Sequence, residues 1–153
     1  MTRNPGKLFL ALCLLTVGGG VVANAQIETD ARIQVNVPFA FAVADTTLPA
    51  GKYEIRTLDE NVPNVLEIRT PNGRTTVVFE TEDAQTRGGD QRASKTEVAF
   101  DKVGDRYFLS QVWLAGSASG NALPKSRMEK RLLDGGGQSE RHSILGFMKR
   151  LKP

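Results

Sequence analysis

The chain has 153 residues, with 20 Lys/Arg against 17 Asp/Glu, one histidine and one cysteine. A balance this close to neutral excludes the electrostatics of a nucleic-acid binder, and a lone cysteine excludes an internal disulfide and any zinc site built on several thiolates. Stability has to come from one packed core, for which the length suffices.

Residues 1–25 read as a bacterial export signal. Arg3 and Lys7 form the positive start, residues 8–17 an uncharged apolar run, and Gly18, Gly19 and Gly20 loosen its end. Ala23-Asn24-Ala25 is a small-x-small pattern cleaved before Gln26. The run is shorter than the ~20 residues of a membrane-spanning helix. Cys13 lies inside it behind Leu12 rather than at a lipoprotein processing site. The leader predicts export to the periplasm or beyond. Its removal takes away Cys13 and two cations and leaves the mature chain near +1. The rest is uneven: residues 26–123 hold ten Lys/Arg against fourteen acids, and residues from Lys125 onward eight against three.

In the mature body Ile33, Val35, Val37, Phe39, Phe41 and Val43 occupy every second position, the period of a strand. Pro38 falls on the outward set and marks an edge, or a bend where one strand passes between sheets. After the turn Leu48-Pro49-Ala50-Gly51, a strand over 52–58 turns Tyr53 and Ile55 inward. Strands over 65–70 and 75–81 flank Pro71-Asn72-Gly73-Arg74, a hairpin signal. An Asn72-Gly73 turn pairs Ile68 with Val77 and Leu66 with Phe79. Pro71 instead suits a type I turn with Gly73 as a left-handed bulge residue, which shifts the pairing by one. Side-chain matching favours the first. Residues 82–93, with Gly88-Gly89, read as a long loop. Strands follow over 94–101, with Thr96, Val98 and Phe100 inward, and over 106–115. The last has Phe108, Val112 and Leu114 on one face and Tyr107, Leu109 and Trp113 on the other, so both faces require cover.

Leu123-Pro124 opens a helix over 126–134 that Gly135 ends, with Met128 and Leu132 sharing a face. Gly135-Gly136-Gly137 reads as a flexible linker. A basic amphipathic helical tail follows from about Glu140, with Ile144, Phe147, Met148 and Leu151 at i, i+3, i+4 and i+7. The expected fold is all-β and mainly antiparallel: a small barrel or sandwich of about six to eight strands over residues 26–123. Residues 124–153 then supply a short helix, the glycine linker and the basic tail.

Several segments form an ordered series: Val37-Pro38-Phe39-Ala40-Phe41, Thr47-Leu48-Pro49-Ala50-Gly51-Lys52-Tyr53, Gly104-Asp105-Arg106-Tyr107-Phe108-Leu109 and Leu123-Pro124-Lys125-Ser126-Arg127. The series resembles a group of short exported bacterial proteins of unknown function, over residues 35–131. The resemblance implies an exported β-rich domain and carries no activity or site residues.

Candidate chemistry is sparse. His142 follows the glycine linker and reads as a solvated surface side chain rather than a triad or metal member. The loop acids Asp59-Glu60, Glu82-Asp83, Asp101 and Asp105 lack calcium-loop spacing and read as turn formers. The Tyr107, Phe108 and Trp113 set reads as packing rather than a stacking platform. No catalytic, metal or cofactor residue is assigned. The functional candidates are Arg141, Phe147, Lys149, Arg150 and Lys152, which together suit an anionic membrane surface or envelope polymer. The expectation is an exported non-enzymatic module of the cell envelope. A barrel carrying a small apolar ligand and a carboxylate-dependent hydrolase are the alternatives.

Overall fold

The alternating run that opens the mature body builds two strands that belong to different sheets. In the computed structural model, which describes residues 31–59, 61–85 and 93–150, β1 (Ala31–Val37) joins one sheet and β2 (Phe41–Val43) the other, with the bend at Pro38. The leader, its cleavage site, Glu60, residues 86–92, Leu151 and Lys152 lie outside the described residues. The remaining strands are β3 (Thr46–Leu48), β4 (Gly51–Asp59), β5 (Val62–Arg69), β6 (Thr76–Glu80), β7 (Glu82–Gln85), β8 (Glu97–Val103), β9 (Arg106–Trp113), β10 (Ser119–Ala122), β11 (Ser139–Leu145) and β12 (Phe147–Arg150). Among the described residues one helix, α1 (Arg127–Asp134), accompanies them.

The fold is an antiparallel sandwich rather than a closed barrel. One sheet runs β12-β1-β4-β5-β6 and the other β11-β8-β9-β10-β7, with β2 and β3 attached beside β9. Among the described residues only the β2–β9 pairing is parallel. The strand number exceeds expectation because long strands break where they cross between layers: β1 to β2 at Pro38, β6 to β7 at Thr81, β11 to β12 at Gly146. The last two crossings join the sheets along their two opposite edges.

Between the layers Ile33, Val35, Val37, Tyr53, Ile55, Leu66, Ile68 and Phe79 face Phe41, Val43, Val98, Phe100, Leu109 and Val112 in one continuous core. Rings meet edge to face, Phe41 against Tyr53 at 5.2 Å and against Phe100 at 5.3 Å, the arrangement that ring quadrupoles favour. The Tyr53 hydroxyl donates to the Pro49 carbonyl at 2.6 Å, and burial pushes its phenol pKa up.

The β5–β6 hairpin satisfies both of its sequence signals. Leu66 pairs with Phe79 and Ile68 with Val77, the register that side-chain matching favours. Residues 70–75 nonetheless connect the strands, and Thr70 N donates to Thr75 O at 2.9 Å to close a four-residue loop over 71–74. Gly73 N donates to Thr70 O at 2.8 Å and Gly73 takes φ +69°, so Pro71 and Asn72 form the tight turn that proline prefers.

Four expectations are corrected. Residues 139–150 are strands, not a helix: β11 pairs with β8 and β12 with β1, so the tail is an edge of each sheet and the division at residue 123 does not hold. His142 and Ile144 point inward while Arg141, Ser143 and Leu145 are exposed, a period of two. Gly135-Gly136-Gly137 is a tight connection, not a flexible linker. Gly136 has φ +90°, and a Cβ on Gly137 would stand 2.7 Å from the Leu132 carbonyl and 2.9 Å from Val103. The start of the supposed loop, residues 82–85, is β7, with Ala84 buried. Finally, Tyr107 and Leu109 face the core. A bulge opposite the Ala99–Phe100 step makes Ser110 the extra residue of β9, so Leu109 and Val112 point the same way. Phe108 is buried on the outer side, and Trp113 lies there over Gly120 of β10, where a Cβ would come within 2.6 Å of the indole.

The helix ends as expected. Ser126 caps α1 by accepting from Glu129 N at 3.2 Å, and Gly135 closes it. Its buried residue is Glu129, not Met128. Lys125 Nζ lies 2.7 Å from Glu129 and 3.3 Å from Asp101 of β8, and Arg141 of β11 reaches Asp101 at 3.4 Å. An ionic network therefore anchors the helix to the outer side of the second sheet. Burial alone draws the Lys125 ammonium pKa down; the Glu129 and Asp101 carboxylates outweigh this and hold it above the ordinary lysine value.

A second polar ladder covers the outer face of the first sheet. Gln34 donates to Glu54 at 3.0 Å, Arg69 stands 3.3 Å and Arg32 3.9 Å from the same carboxylate, and Arg56 meets Glu67 at 2.6 Å. The Gln34 hydrogen bond, opposed by desolvation and aided by Arg69 and Arg32, holds Glu54 below the usual carboxylate pKa. The unfolded chain therefore holds this proton more tightly than the folded one. The ladder's contribution is full above the unfolded value of about 4.3 and is lost as pH falls through the lower folded value. Glu54→Gln should flatten the acid limb of a plot of urea midpoint against pH; parallel acid limbs in both proteins would count against the ladder.

Candidate functional site

The tail residues singled out by sequence fall on two different faces. Arg141 leaves β11 on the outer side of the second sheet, where it pairs with Asp101 and donates to Gln111 at 3.0 Å. It is part of the network that holds α1. Phe147 and Lys149 stand on β12 opposite Gln34 and Arg32, hence on the outer face of the first sheet. Phe147 is 75% exposed, with Leu145 and Met148 also exposed beside the bend. The Arg150 backbone pairs with Ala31. The face around Phe147 and Lys149 carries Arg32, Arg56, Arg69 and Lys52 against Glu54, Glu67 and Glu80.

His142 is not a solvated surface group. It is half-buried at the middle of β11, its ring 5.4 Å from Tyr107 in an edge contact. Its Nε2 is buried without a hydrogen bond, and Glu140 lies 3.4 Å away. Tyr107 in turn stacks on Phe39 at 3.7 Å, with the Lys102 ammonium 5.5 Å from its ring centre. This is a packed aromatic corner without a nucleophile.

A cleft of about 670 Å³, which the sequence did not reveal, opens between the β2–β3 turn, the β8–β9 turn and α1. Phe41 and Phe108, both buried, line its depth beside Tyr107, and Ala40, Ala42 and Ala44 leave the space unfilled. Two turns of the same length form one wall. Gly104-Asp105 joins β8 to β9 with Gly104 at φ +65°. Ala44-Asp45 joins β2 to β3 with Ala44 at φ +51°. Glycine adopts that conformation freely, whereas alanine does so at a cost of about 1–2 kcal/mol.

Both aspartates line the cleft, as does Arg106. Arg127 and Arg131, one helical turn apart on α1, form the opposite wall with Met128, which is 41% exposed. Among the described residues none of these three arginines makes an ion pair, whereas Arg32, Arg56, Arg69 and Arg141 all do. The signal available beforehand was the i,i+4 spacing of Arg127 and Arg131; the alanines that create the space carry none.

No family model, curated protein or solved structure matches the chain. Among the described residues no group of three or more His, Cys, Asp or Glu side chains is placed to hold a metal ion, and no helix is long and apolar enough to cross a membrane.

Proposed function

We propose that this chain is an exported, non-catalytic β-sandwich module that serves as a structural or binding component of the cell envelope, held to an anionic lipid surface by the outer face of its first sheet. The observation that carries the reading is Phe147, three-quarters exposed on β12 with Lys149 beside it and Arg32 opposite Lys149 on the neighbouring strand. An exposed aromatic ring flanked by cations suits the boundary between lipid headgroups and acyl chains. The leader supplies the compartment, and the resemblance to short exported bacterial proteins agrees with it. Large side chains in edge contact fill the space between the sheets, which favours a function at the surface over a carrier with an internal ligand.

The test is co-sedimentation of the mature protein, residues 26–153, with phosphatidylglycerol vesicles. Binding should fall with added salt, because screening shortens the reach of Lys149 and its neighbours. Phe147→Ser combined with Lys149→Glu should weaken it at least tenfold. Each cation near an anionic surface contributes about 1 kcal/mol, and the charge reversal alone removes roughly twice that. Both positions are exposed, so the fold should persist. Equal sedimentation of the two proteins would reject the reading, as would binding only to isolated envelope polymer.

A further inference from the structure

We propose that the cleft between the β2–β3 turn, the β8–β9 turn and α1 is a binding site for a small organic anion carrying a phosphate or carboxylate group on an apolar body. The inference concerns the far side of the sandwich from Phe147 and does not depend on attachment to a surface. Its volume of about 670 Å³ falls within the ~300–1,000 Å³ typical of small-molecule sites.

Charge selects the ligand. Arg106, Arg127 and Arg131 line one concavity and make no ion pair among the described residues. Guanidinium groups present a planar fork of donors that matches a carboxylate or phosphate, and they remain charged at any relevant pH. Like charges gathered in one cleft repel, and an anion between them relieves that repulsion. Asp45 and Asp105 occupy the turn wall, so the anionic group has to lie against α1, where Arg127 and Arg131 are spaced by one turn. Phe108 and Met128 then accept the apolar body.

Backbone conformation supplies independent support. Gly104 and Ala44 hold equivalent positions in neighbouring two-residue turns, yet at Ala44 an L side chain carries a positive φ. Strain of this kind collects at binding sites, where the surroundings hold it in place. The alanines at 40, 42 and 44 also keep large side chains out of the concavity.

Isothermal titration of the mature protein with phenyl phosphate tests the assignment, with inorganic phosphate and benzyl alcohol as the separated halves of the probe. Phenyl phosphate should saturate at one site with a Kd of about 1 mM or tighter, and each half should bind at least tenfold more weakly. Arg127→Ala with Arg131→Ala should weaken phenyl phosphate at least tenfold, the loss expected from removing charge-assisted hydrogen bonds. Both side chains are exposed and unpaired, so the unfolding midpoint should hold. Ala42→Leu, which fills the cleft without altering charge, should abolish binding. The proposal is overturned if phenyl phosphate does not saturate, if inorganic phosphate binds equally well, or if either variant binds like the wild type. Vesicle binding is read separately, and its outcome leaves this result unchanged.

Discussion

Phe100→Ala should lower the unfolding free energy by about 3–5 kcal/mol, the cost of truncating a fully buried phenylalanine. Phe100 has no exposed surface. It sits on β8 between Leu109 of β9 and His142 of β11, and it meets both Phe39 and Phe41 in T-shaped contacts at 5.3 Å. Removing the ring strips the contacts of two further aromatics at once. The neighbours cannot easily close the void, because the sheets are tied along both edges by the chain crossings at Thr81 and Gly146. For a domain stabilised by ~5–15 kcal/mol, this is a large fraction. Urea unfolding should show a lower midpoint at unchanged slope. Phe100→Leu, which retains most of the volume, should lose less than about 1.5 kcal/mol. A Phe100→Ala change within experimental noise would remove Phe100 from the core.

Phe100, the strand over 33–43 and the β5–β6 register were legible in the sequence because a pleated strand sends alternate side chains to opposite faces. A slip of one residue would expose Leu66 and Ile68, so burial pins the pairing. Pro38 was legible for a different reason: it lacks the donor a continuous ladder needs, and the chain changes sheets there. The facing of β9 was not legible. One extra residue at Ser110 inverts the parity of everything beyond it, and no residue type marks that bulge. Nor were β7 and β10: their sequences, Glu82–Gln85 and Ser119–Ala122, are chosen by backbone pairing with each other rather than by an apolar face. The cleft was not legible because it is created by small side chains and by turns distant in sequence. The ionic network beneath α1 joins Asp101, Lys125, Glu129 and Arg141 across 40 positions, a separation that periodicity does not address.

The apolar residues of the tail fit two periods. Ile144, Phe147 and Met148 match a helical stripe, and they equally match two strands interrupted at Gly146. Gly146 decides between them. Its N–H donates to the Thr96 carbonyl at 3.0 Å, and a Cβ there would stand 2.7 Å from Ile33 Cγ2 and 3.2 Å from Thr96 Cγ2. Both neighbours are β-branched methyl groups fixed close to their own backbones, so neither can swing clear. Gly146→Ala should therefore destabilise by about 1–3 kcal/mol, the range for overpacking a filled site. Amide exchange should accelerate first in β12 and in the end of β11, because the displaced segment carries the outer edge of both sheets. Ser143→Ala, on an exposed position of β11, should be near neutral and serves as the control. The decisive variant adds Ile33→Ala to Gly146→Ala. If the Ile33 methyl is what excludes a side chain at 146, the double variant loses clearly less than the sum of the two single losses. Simple additivity would mean that Gly146 is required for backbone conformation and not for the close approach of β1.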